Sequence, residues 1–336
     1  MYKNQLKFFY NKNYKLLYEN KSNFIIHNSK IKYTFIRHFS KLSLNELDNN
    51  TNIKPLSNVE KFSYYITGLI EGNGTIIVPK TLRTKNRLNY PSIQIVFQLN
   101  DLPLALLIQK ELKHGSLSRK KGVNAYVLSI NNFEGLLYLI NLINGKMRTP
   151  KIYSLFNLID WYNLKDETLN IEKKGLNLLP LDYTPWLSGF IEADGHFLVR
   201  STLRDIYPKV ECKFEVSQRQ IDHKGHDNLE FLKFMAKFLN TEVKLIRMNT
   251  KYPQYRVRTV NLAGNINLEN YLNIYPLFGS KHLNFLDWLK ILSLFKKGKF
   301  DHKLNMKNVL SIKLGMNDKR TYFKWDHLST FYNLDK

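Results

Sequence analysis

Two short segments of the chain repeat one pattern: ITGLIEGNG at residues 66–74 and LSGFIEADG at residues 187–195. Each is an apolar, helix-like run that carries small residues four positions apart and ends in a glycine. Small residues at i and i+4 share one helix face and let a second backbone approach closely. These small residues are Gly68, Gly72, Gly189 and Ala193. We therefore expect the two segments to be helices that pack against each other.

The last turn of each predicted helix carries acidic or amide side chains, Glu71 and Asn73 in the first and Glu192 and Asp194 in the second. Negative charge is unfavourable there because the helix dipole stabilises cations at a C-terminus. A cation bound beyond the helix ends would relieve this conflict. Two such helices side by side would bring their tips together at one divalent-metal site. The pattern indicates phosphodiester chemistry, and the uncharged Asn73 is the position that departs from it.

The repeat extends beyond these two helices. Ser57 and Glu60 have the spacing of a capping box, and Thr184-Pro185 that of an N-cap followed by a proline at the first helical position. Alternating apolar and polar residues, typical of half-buried strands, follow each helix. Further helices are predicted at residues 102–112 and 133–143 in the first copy and at 229–239 and 268–275 in the second.

Each copy therefore has the order α-β-β-α-β-β-α. We expect an α+β fold in which two tandem αββαββα repeats form a pseudo-twofold saddle of antiparallel sheets, with the repeated helices at the interface. The predicted parts are a basic leader at 1–55, a first repeat at 56–162, a linker at 163–183, a second repeat at 184–294 and a basic C-terminal extension at 295–336.

The composition indicates a polyanionic partner. The 336 residues carry a formal net charge of +23 and give a pI of about 9.7. Such an excess of Lys and Arg favours nucleic acid over an anionic membrane surface. No apolar run reaches the roughly 18 residues that a membrane span needs. The single cysteine, Cys212, excludes an intrachain disulfide and a cysteine-built zinc site.

The first 45 residues contain one acidic residue, Glu19, and nine Lys or Arg residues. Acid-poor, basic leaders are typical of organelle transit peptides, and IRHFS at residues 36–40 resembles a mitochondrial processing site. We therefore expect a mitochondrial location. The alternative is a basic nucleic-acid-binding arm, since the leader is rich in Lys rather than Arg.

Both repeated segments resemble the LAGLIDADG motif of homing endonucleases and of the related group I intron maturases. The chain is similar to the single-chain form with two motifs, from about Ser57 to about Leu328. Supporting stretches lie at residues 144–151, 276–281 and 320–327. The resemblance implies a monomer whose two repeats act as a pseudo-dimer.

The resemblance also implies a metal site. In the family, the acid before the last glycine of each motif binds Mg²⁺ at the scissile phosphates, and those positions are Asn73 and Asp194 here. Glu71 and Glu192 match a structural acidic position, for which we expect helix-end solvation and capping contacts.

A basic residue near the scissile phosphate is a further family feature. Lys281 matches this position in the second half. Its first-half counterpart is either Lys146 or Lys151, and the spacing leaves both open. Ordinary phosphate contact is the alternative role for all three lysines.

Asn73 puts cleavage in doubt because an amide offers an oxygen but no charge to a hard cation. A loss of about 3 kcal/mol of transition-state stabilisation slows a reaction roughly a hundredfold. Glu71 is a poor substitute, since it lies about 200° around the helix from Asn73.

Polar residues on the exposed strand faces are candidates for nucleic-acid contact, because Arg and Lys can read guanine, Gln can read adenine, and the others can hold phosphates. In the first half they are Lys80, Arg83, Gln94, Gln98, Lys120 and Lys121. In the second half they are Arg200, Arg204, Lys209, Lys213, Gln218, Arg219, Arg256 and Arg258. His223 and His226 are interpreted as loop residues rather than metal ligands.

Two functions therefore remain open, and the sequence does not decide whether the chain is an enzyme. The first is a Mg²⁺-dependent, site-specific DNA endonuclease that mediates intron homing, which Asp194 and Lys281 favour. The second is a maturase-type protein that binds a folded group I intron RNA and promotes its splicing, which Asn73 favours. The sequence slightly favours the splicing role, with cleavage lost or reduced to nicking.

Overall fold

A computed structural model describes residues 55–79, 82–83, 87–202, 209–297 and 302–334. Residues 56–336 form one compact unit. The predicted leader lies outside the described residues except for Pro55, and the nucleic-acid candidates Lys80 and Arg204 lie outside them as well. None of the described helices is long and apolar enough to cross a lipid bilayer.

The described residues of the first half form four α-helices and six strands. The helices are α1 (Asn58–Asn73), α2 (Leu102–Leu112), α3 (Phe133–Ile143) and α4 (Ile152–Lys165). The strands are β1 (Gly74–Ile77), β2 (Leu82–Arg83), β3 (Arg87–Leu88), β4 (Ser92–Gln98), β5 (Ser116–Arg119) and β6 (Ala125–Ile130).

The described residues of the second half repeat the four helices and the four-stranded sheet of the first half and add a C-terminal helix. Its helices are α5 (Trp186–Asp194), α6 (Leu229–Phe238), α7 (Leu262–Ile274), α8 (Ser280–Lys296) and α9 (His302–Leu314). Its strands are β7 (Gly195–Thr202), β8 (Lys209–Arg219), β9 (Val243–Ile246) and β10 (Gln254–Arg258).

Each half contains one four-stranded antiparallel sheet, with the order β1-β4-β6-β5 in the first and β7-β8-β10-β9 in the second. Gly74 pairs with Ile95 and Gly195 pairs with Val216, so the two motif helices enter their sheets in the same register. The α+β fold with tandem repeats and paired motif helices is confirmed.

The start of α1 follows the predicted capping box. The Ser57 Oγ accepts a hydrogen bond from the Glu60 N–H at 3.2 Å, and the Glu60 carboxylate accepts one from the Ser57 N–H at 2.9 Å. The start of α5 differs, because Pro185 rather than Thr184 is its N-cap and no side chain caps it. The Thr184 hydroxyl is buried without a hydrogen-bond partner among the described residues.

Each half has a helix that the αββαββα pattern lacks. In the first half this is α4, which runs across the predicted boundary at residue 162; in the second half it is α8. Helix α4 begins directly after the supporting stretch at 144–151, and α8 begins within the stretch at 276–281, so these stretches lead into helices. Helix α7 also begins at Leu262, before the predicted start at residue 268. The sequence pattern missed this turn because Asn265 is a polar residue buried there, where its side chain donates to the Cys212 carbonyl.

Helices cover one face of each sheet and leave the other open. Alternate residues of β8, including Cys212, Phe214 and Val216, are buried in the second core, while their neighbours are half-exposed or exposed. Two residues near the C-terminus, Phe331 and Tyr332, are unexpected members of the first core. They pack against Tyr65 of the first half and Phe278 of the second. The predicted C-terminal extension therefore helps to join the two halves.

Candidate functional site

The motif helices α1 and α5 touch through their backbones. A Cβ atom on Gly68 would lie 2.0 Å from the Trp186 carbonyl oxygen, and one on Gly189 would lie 1.9 Å from the Tyr65 carbonyl oxygen. Closer to the helix ends, a Cβ on Gly72 would lie 2.2 Å from the Ala193 Cβ. Real Cβ atoms do not approach other atoms so closely, so the small residues set the separation of the helices.

Glu71 holds the first half to the second. Its buried carboxylate accepts hydrogen bonds from the Arg148 N–H at 2.9 Å and from the Thr149 N–H and hydroxyl at 2.6 Å each. It also accepts one from the indole N–H of Trp186, on the other motif helix. Burial raises the pKa of Glu71, and these hydrogen bonds counteract the rise. The carboxylate thus fixes the turn that leads into α4.

Glu192 has the equivalent role in the second half. Its carboxylate accepts a hydrogen bond from the Phe278 N–H at 2.8 Å, before α8, and lies 3.4 Å from the Tyr65 hydroxyl of the first half. Burial, with a smaller contribution from Asp101, raises the pKa of Glu192 to about 7. The expected capping contacts are therefore present at both acids, whereas helix-end solvation is wrong because both carboxylates are buried.

Two half-buried lysines bind the ends of the motif helices. Lys151 Nζ donates to the carbonyl oxygens of Ile70 at 2.9 Å, Glu71 at 2.7 Å and Gly74 at 2.6 Å. Lys281 Nζ donates to the carbonyls of Ile191 at 3.1 Å and Ala193 at 2.6 Å.

Their ammonium groups supply the cation that a helix C-terminus favours. Burial lowers the pKa of Lys151 to about 8 and also lowers that of Lys281. Lys151 is thus the structural counterpart of Lys281, while the alternative, Lys146, donates to the Leu142 carbonyl instead.

Asp194 ends α5 and lies against the other helix tip. Its Oδ2 is 3.1 Å from the position that a Cβ on Gly72 would occupy, and it accepts a 2.7 Å hydrogen bond from the Gln218 amide. Burial raises the pKa of Asp194, and Lys281, Gln218 and Lys151 oppose the rise. Asn73 is half-buried at the end of α1. The two tips meet where α1 and α5 pack against each other, a contact called the seam below. The single carboxylate there, that of Asp194, is close enough to the Lys151 and Lys281 ammonium groups to be stabilised by their charge.

The surroundings of the two tips are not equivalent. Ile95 and Val216 are equivalent, because each pairs with the glycine that ends its motif. Two residues further along the strands, Phe97 in the first half is therefore equivalent to Gln218 in the second. Phe97 is buried in the first core. The Asn73 tip therefore differs from the Asp194 tip twice: an amide replaces the carboxylate, and an aromatic ring replaces the hydrogen-bond donor beside it.

Gln218 was predicted to contact nucleic acid from an exposed strand face, and this placement is wrong. It pairs with Tyr255 and lies on the helix-covered face of its sheet, where it reaches Asp194. Gln218 is an even number of residues from Cys212, Phe214 and Val216 along β8, so it lies on the same face as these buried residues. This alternation in the sequence could have revealed its position.

The remaining described candidates lie as follows. Gln94 and Gln98 are on the open face of the first sheet, and Lys120 and Lys121 are exposed at the turn between β5 and β6. Arg200, Lys209, Lys213, Arg219, Arg256 and Arg258 are on the open face of the second sheet. Arg83 lies in β2, within a segment whose side chains the structure does not describe.

A loop between β8 and α6 flanks the seam. His223 and His226 both lie in this loop, as predicted. The His226 Nδ1 is 3.4 Å from the Asp222 carboxylate, and the His226 ring stacks on the Tyr153 ring of α4 with their centroids 4.4 Å apart. A cavity of about 340 Å³ opens between this loop and the tip of α1, and Lys151, Gln218 and His223 are among the residues that line it. Among the described residues, no group of three or more His, Cys, Asp or Glu side chains is placed to hold a metal.

The fold and seam define a class of protein with two pseudo-symmetric α+β halves joined by acid-tipped helices. The sequence model of the LAGLIDADG endonuclease family matches residues 66–162 and 187–292. The chain belongs to the LAGLIDADG endonuclease family.

The relatives of this chain include a protein named as a DNA endonuclease and one named as an RNA maturase. An intron-encoded DNA endonuclease, aI3 of Saccharomyces cerevisiae, is 30% identical over 333 residues, which is 88% of this chain and 79% of the relative. The intron-encoded RNA maturase bI4 of the same yeast is 30% identical over 188 residues, 53% of this chain and 27% of the maturase. Among solved structures, the LAGLIDADG meganuclease I-AabMI bound to uncleaved DNA shares the fold with a TM-score of 0.58 at 22% identity, covering 76% of this chain and 99% of that one.

Proposed function

We propose that this protein binds a specific duplex DNA site across its two open sheet faces and cuts at most one of the two strands. The observation that carries the proposal is the inequality of the helix tips. Asp194 retains its Gln218 hydrogen bond and the nearby Lys281 ammonium. At the other tip, Asn73 supplies no charge, and Phe97 supplies no hydrogen-bond donor at the position of Gln218.

The donor set at the Asp194 tip fits Mg²⁺. This ion is commonly held by one or two carboxylates together with substrate phosphates, and within the described part of the chain the Asp194 carboxylate accepts one hydrogen bond, through Oδ2. When bound, Mg²⁺ would polarise the phosphate and lower the pKa of a water molecule. Asp194 would hold it, and Lys151 and Lys281 add positive charge beside a phosphodiester. The Asn73 amide oxygen is a weaker ligand for the same ion.

The half-buried position of the Asp194 carboxylate supports a role in chemistry. Burial disfavours the charged form of Asp194, as the raised pKa indicates, so the residue is costly as a structural element alone. Carboxylates with a perturbed pKa in a cleft are typical of functional sites. The net charge of +23 supports a polyanionic partner, and the relative named as a DNA endonuclease covers most of the chain.

A maturase-type role in group I intron splicing is the second candidate. Asn73 favours it, because RNA binding needs charge and shape but no metal carboxylate. The similarity to a relative named as an RNA maturase also supports it, over about half of the chain.

A plasmid assay tests the primary proposal. Purified protein is incubated with Mg²⁺ and supercoiled plasmids that carry a library of organellar exon junctions. We expect open-circular product from the native protein and a loss of at least about a hundredfold in rate for Asp194→Asn. The Asn73→Asp/Phe97→Gln double variant is expected to produce linear plasmid, because it restores both missing groups.

Two other results of the plasmid assay would contradict the proposal. Linear product from the native protein would refute cleavage of a single strand. No cleavage by the native protein or the double variant, together with stimulated splicing of an intron transcript, would replace the proposal with the maturase role. Matched binding of Asp194→Asn and native protein to the same plasmid is the control for folding.

We also propose that the protein acts as a monomer in mitochondria. The two halves already supply a pseudo-dimer within one chain. The location is supported by relatives that are named as intron-encoded, including a cox1 intron-2 protein of Schizosaccharomyces pombe that is 26% identical over 74% of this chain. Sedimentation analysis and fractionation of cells that express the protein test these two points.

A further inference from the structure

The open face of the first sheet is uncharged. Residues that are paired across strands share a face, so the register of β1, β4, β6 and β5 defines its members. They are Thr75, Ile77, Ser92, Gln94, Val96, Gln98, Ser116, Ser118, Ala125, Val127 and Ser129. None of these described side chains is ionisable, and the amides of Gln94 and Gln98 are their longest polar groups.

The open face of the second sheet is strongly basic. Its basic members are Arg200, Lys209, Lys213, Arg219, Lys244, Arg256 and Arg258, and its acidic members are Glu211 and Glu215. Lys213 pairs with Glu211 and Arg258 with Glu215. Arg200 lies opposite Glu211 in the register, and within the part of the chain that the structure describes the other basic members of this face form no ion pair.

The contrast is sharpest at equivalent positions. Since Leu128 and Val257 occupy the same register position, Val127 corresponds to Arg256 and Ser118 to Lys244. The Arg256 Nε is buried and has no hydrogen-bond partner among the described residues. Arg256 as a whole is half-exposed and presents its positive charge on the open face, whereas Val127 presents only methyl groups there.

These two surfaces fit different base pairs. In the major groove, Arg and Lys recognise the two acceptors of guanine, Gln recognises adenine, and apolar side chains contact the methyl group of thymine. We propose that the DNA target is asymmetric in composition: the half-site under the first sheet is rich in A·T pairs, and the half-site under the second sheet contains the G·C pairs read by Arg256 and its neighbours. This inference rests on the proposed binding of duplex DNA.

Selection from a randomised duplex pool tests the asymmetry. We expect the enriched sites to have one A·T-rich half and one half with fixed G·C pairs. Equal composition of the two halves would overturn the inference while leaving DNA binding intact. Failure to enrich any duplex, with enrichment from a structured RNA pool, would instead refute the proposed DNA-binding function.

The orientation of the protein on the enriched site is tested by affinity cleavage. The only native cysteine, Cys212, is buried, so a cysteine added on the surface can be labelled selectively with an iron chelate. Ser118→Cys and Lys244→Cys are matched because they occupy equivalent strand positions. We expect cleavage in the A·T-rich half from the first and in the G·C-containing half from the second. The reverse assignment would overturn the inference.

Two substitutions test the residues themselves. Arg256→Gln is expected to reduce the preference for guanine over adenine about tenfold at one position of the second half-site. Val127→Arg, the equivalent position, is expected to create a guanine preference in the first half-site. A selection profile that neither variant changes would show that these faces do not read bases and would overturn the inference.

Discussion

Replacement of Gly189 by alanine tests the central contact of the two halves. The added Cβ would lie 1.9 Å from the Tyr65 carbonyl oxygen and 2.9 Å from the Leu69 backbone nitrogen. Because these are backbone atoms, no side-chain rotation can relieve the clash, and the helices must separate by more than about 1 Å. Overpacking of this kind costs about 1–3 kcal/mol.

Separation of the helices would also weaken the hydrogen bonds that cross the seam. The Trp186 indole bonds to Glu71 and the Tyr65 hydroxyl to Glu192, and each loss costs about 1–3 kcal/mol where a buried carboxylate loses a donor. We therefore expect Gly189→Ala to lower the free energy of unfolding by about 3–5 kcal/mol.

Guanidinium-induced unfolding, followed by circular dichroism, measures this loss. Gly175→Ala is the matched control, because no atom lies within 4 Å of its added Cβ. A Gly189→Ala protein that unfolds within about 0.5 kcal/mol of the control would refute the interpretation that backbone contact at this glycine holds the halves together.

Two further changes are expected to alter stability. Phe331→Ala should lower the free energy of unfolding by about 3–5 kcal/mol in the same assay, because the ring packs edge-on against Phe278 at 4.8 Å and is buried at the junction of the halves; an unchanged midpoint would exclude a joining role for the C-terminal segment. Burial, with a contribution from the stacked His327, lowers the pKa of His282 from 6.5 to about 4. Its neutral form is thus favoured in the fold, so its contribution to stability is fully present above pH 6.5 and is lost as the pH decreases towards 4. His282→Gln should flatten this dependence in unfolding midpoints measured from pH 7 to pH 4, and an equally steep dependence in the variant would contradict the assignment.

The sequence was sufficient for the repeated architecture. Two copies of one helix motif with small residues four apart predicted paired helices, and period-two alternation predicted sheets with one open face. These features are local patterns, and their repetition along the chain made the inference robust. The fourth helix of each half was missed because the turn before it is fixed by a buried carboxylate far away in the sequence. Glu71 contacts Thr149 before α4, and Glu192 contacts Gly279 before α8.

The partners of the helix tips depended on the tertiary structure. Spacing alone left Lys146 and Lys151 as alternatives, and only the fold shows that Lys151 binds the end of α1 as Lys281 binds the end of α5. A hydrogen bond across the seam joins residues that are distant along the chain, so no local pattern encodes it.

The sequence by itself determined the family, the two-fold repetition and the loss of charge at Asn73. Only the tertiary structure showed that Phe97 and Gln218 occupy equivalent places beside the two tips, and that the open faces of the two sheets differ in charge. The physical reason is that a motif reports the residues of one helix, whereas the chemistry of its tip depends on neighbours that strand register brings together.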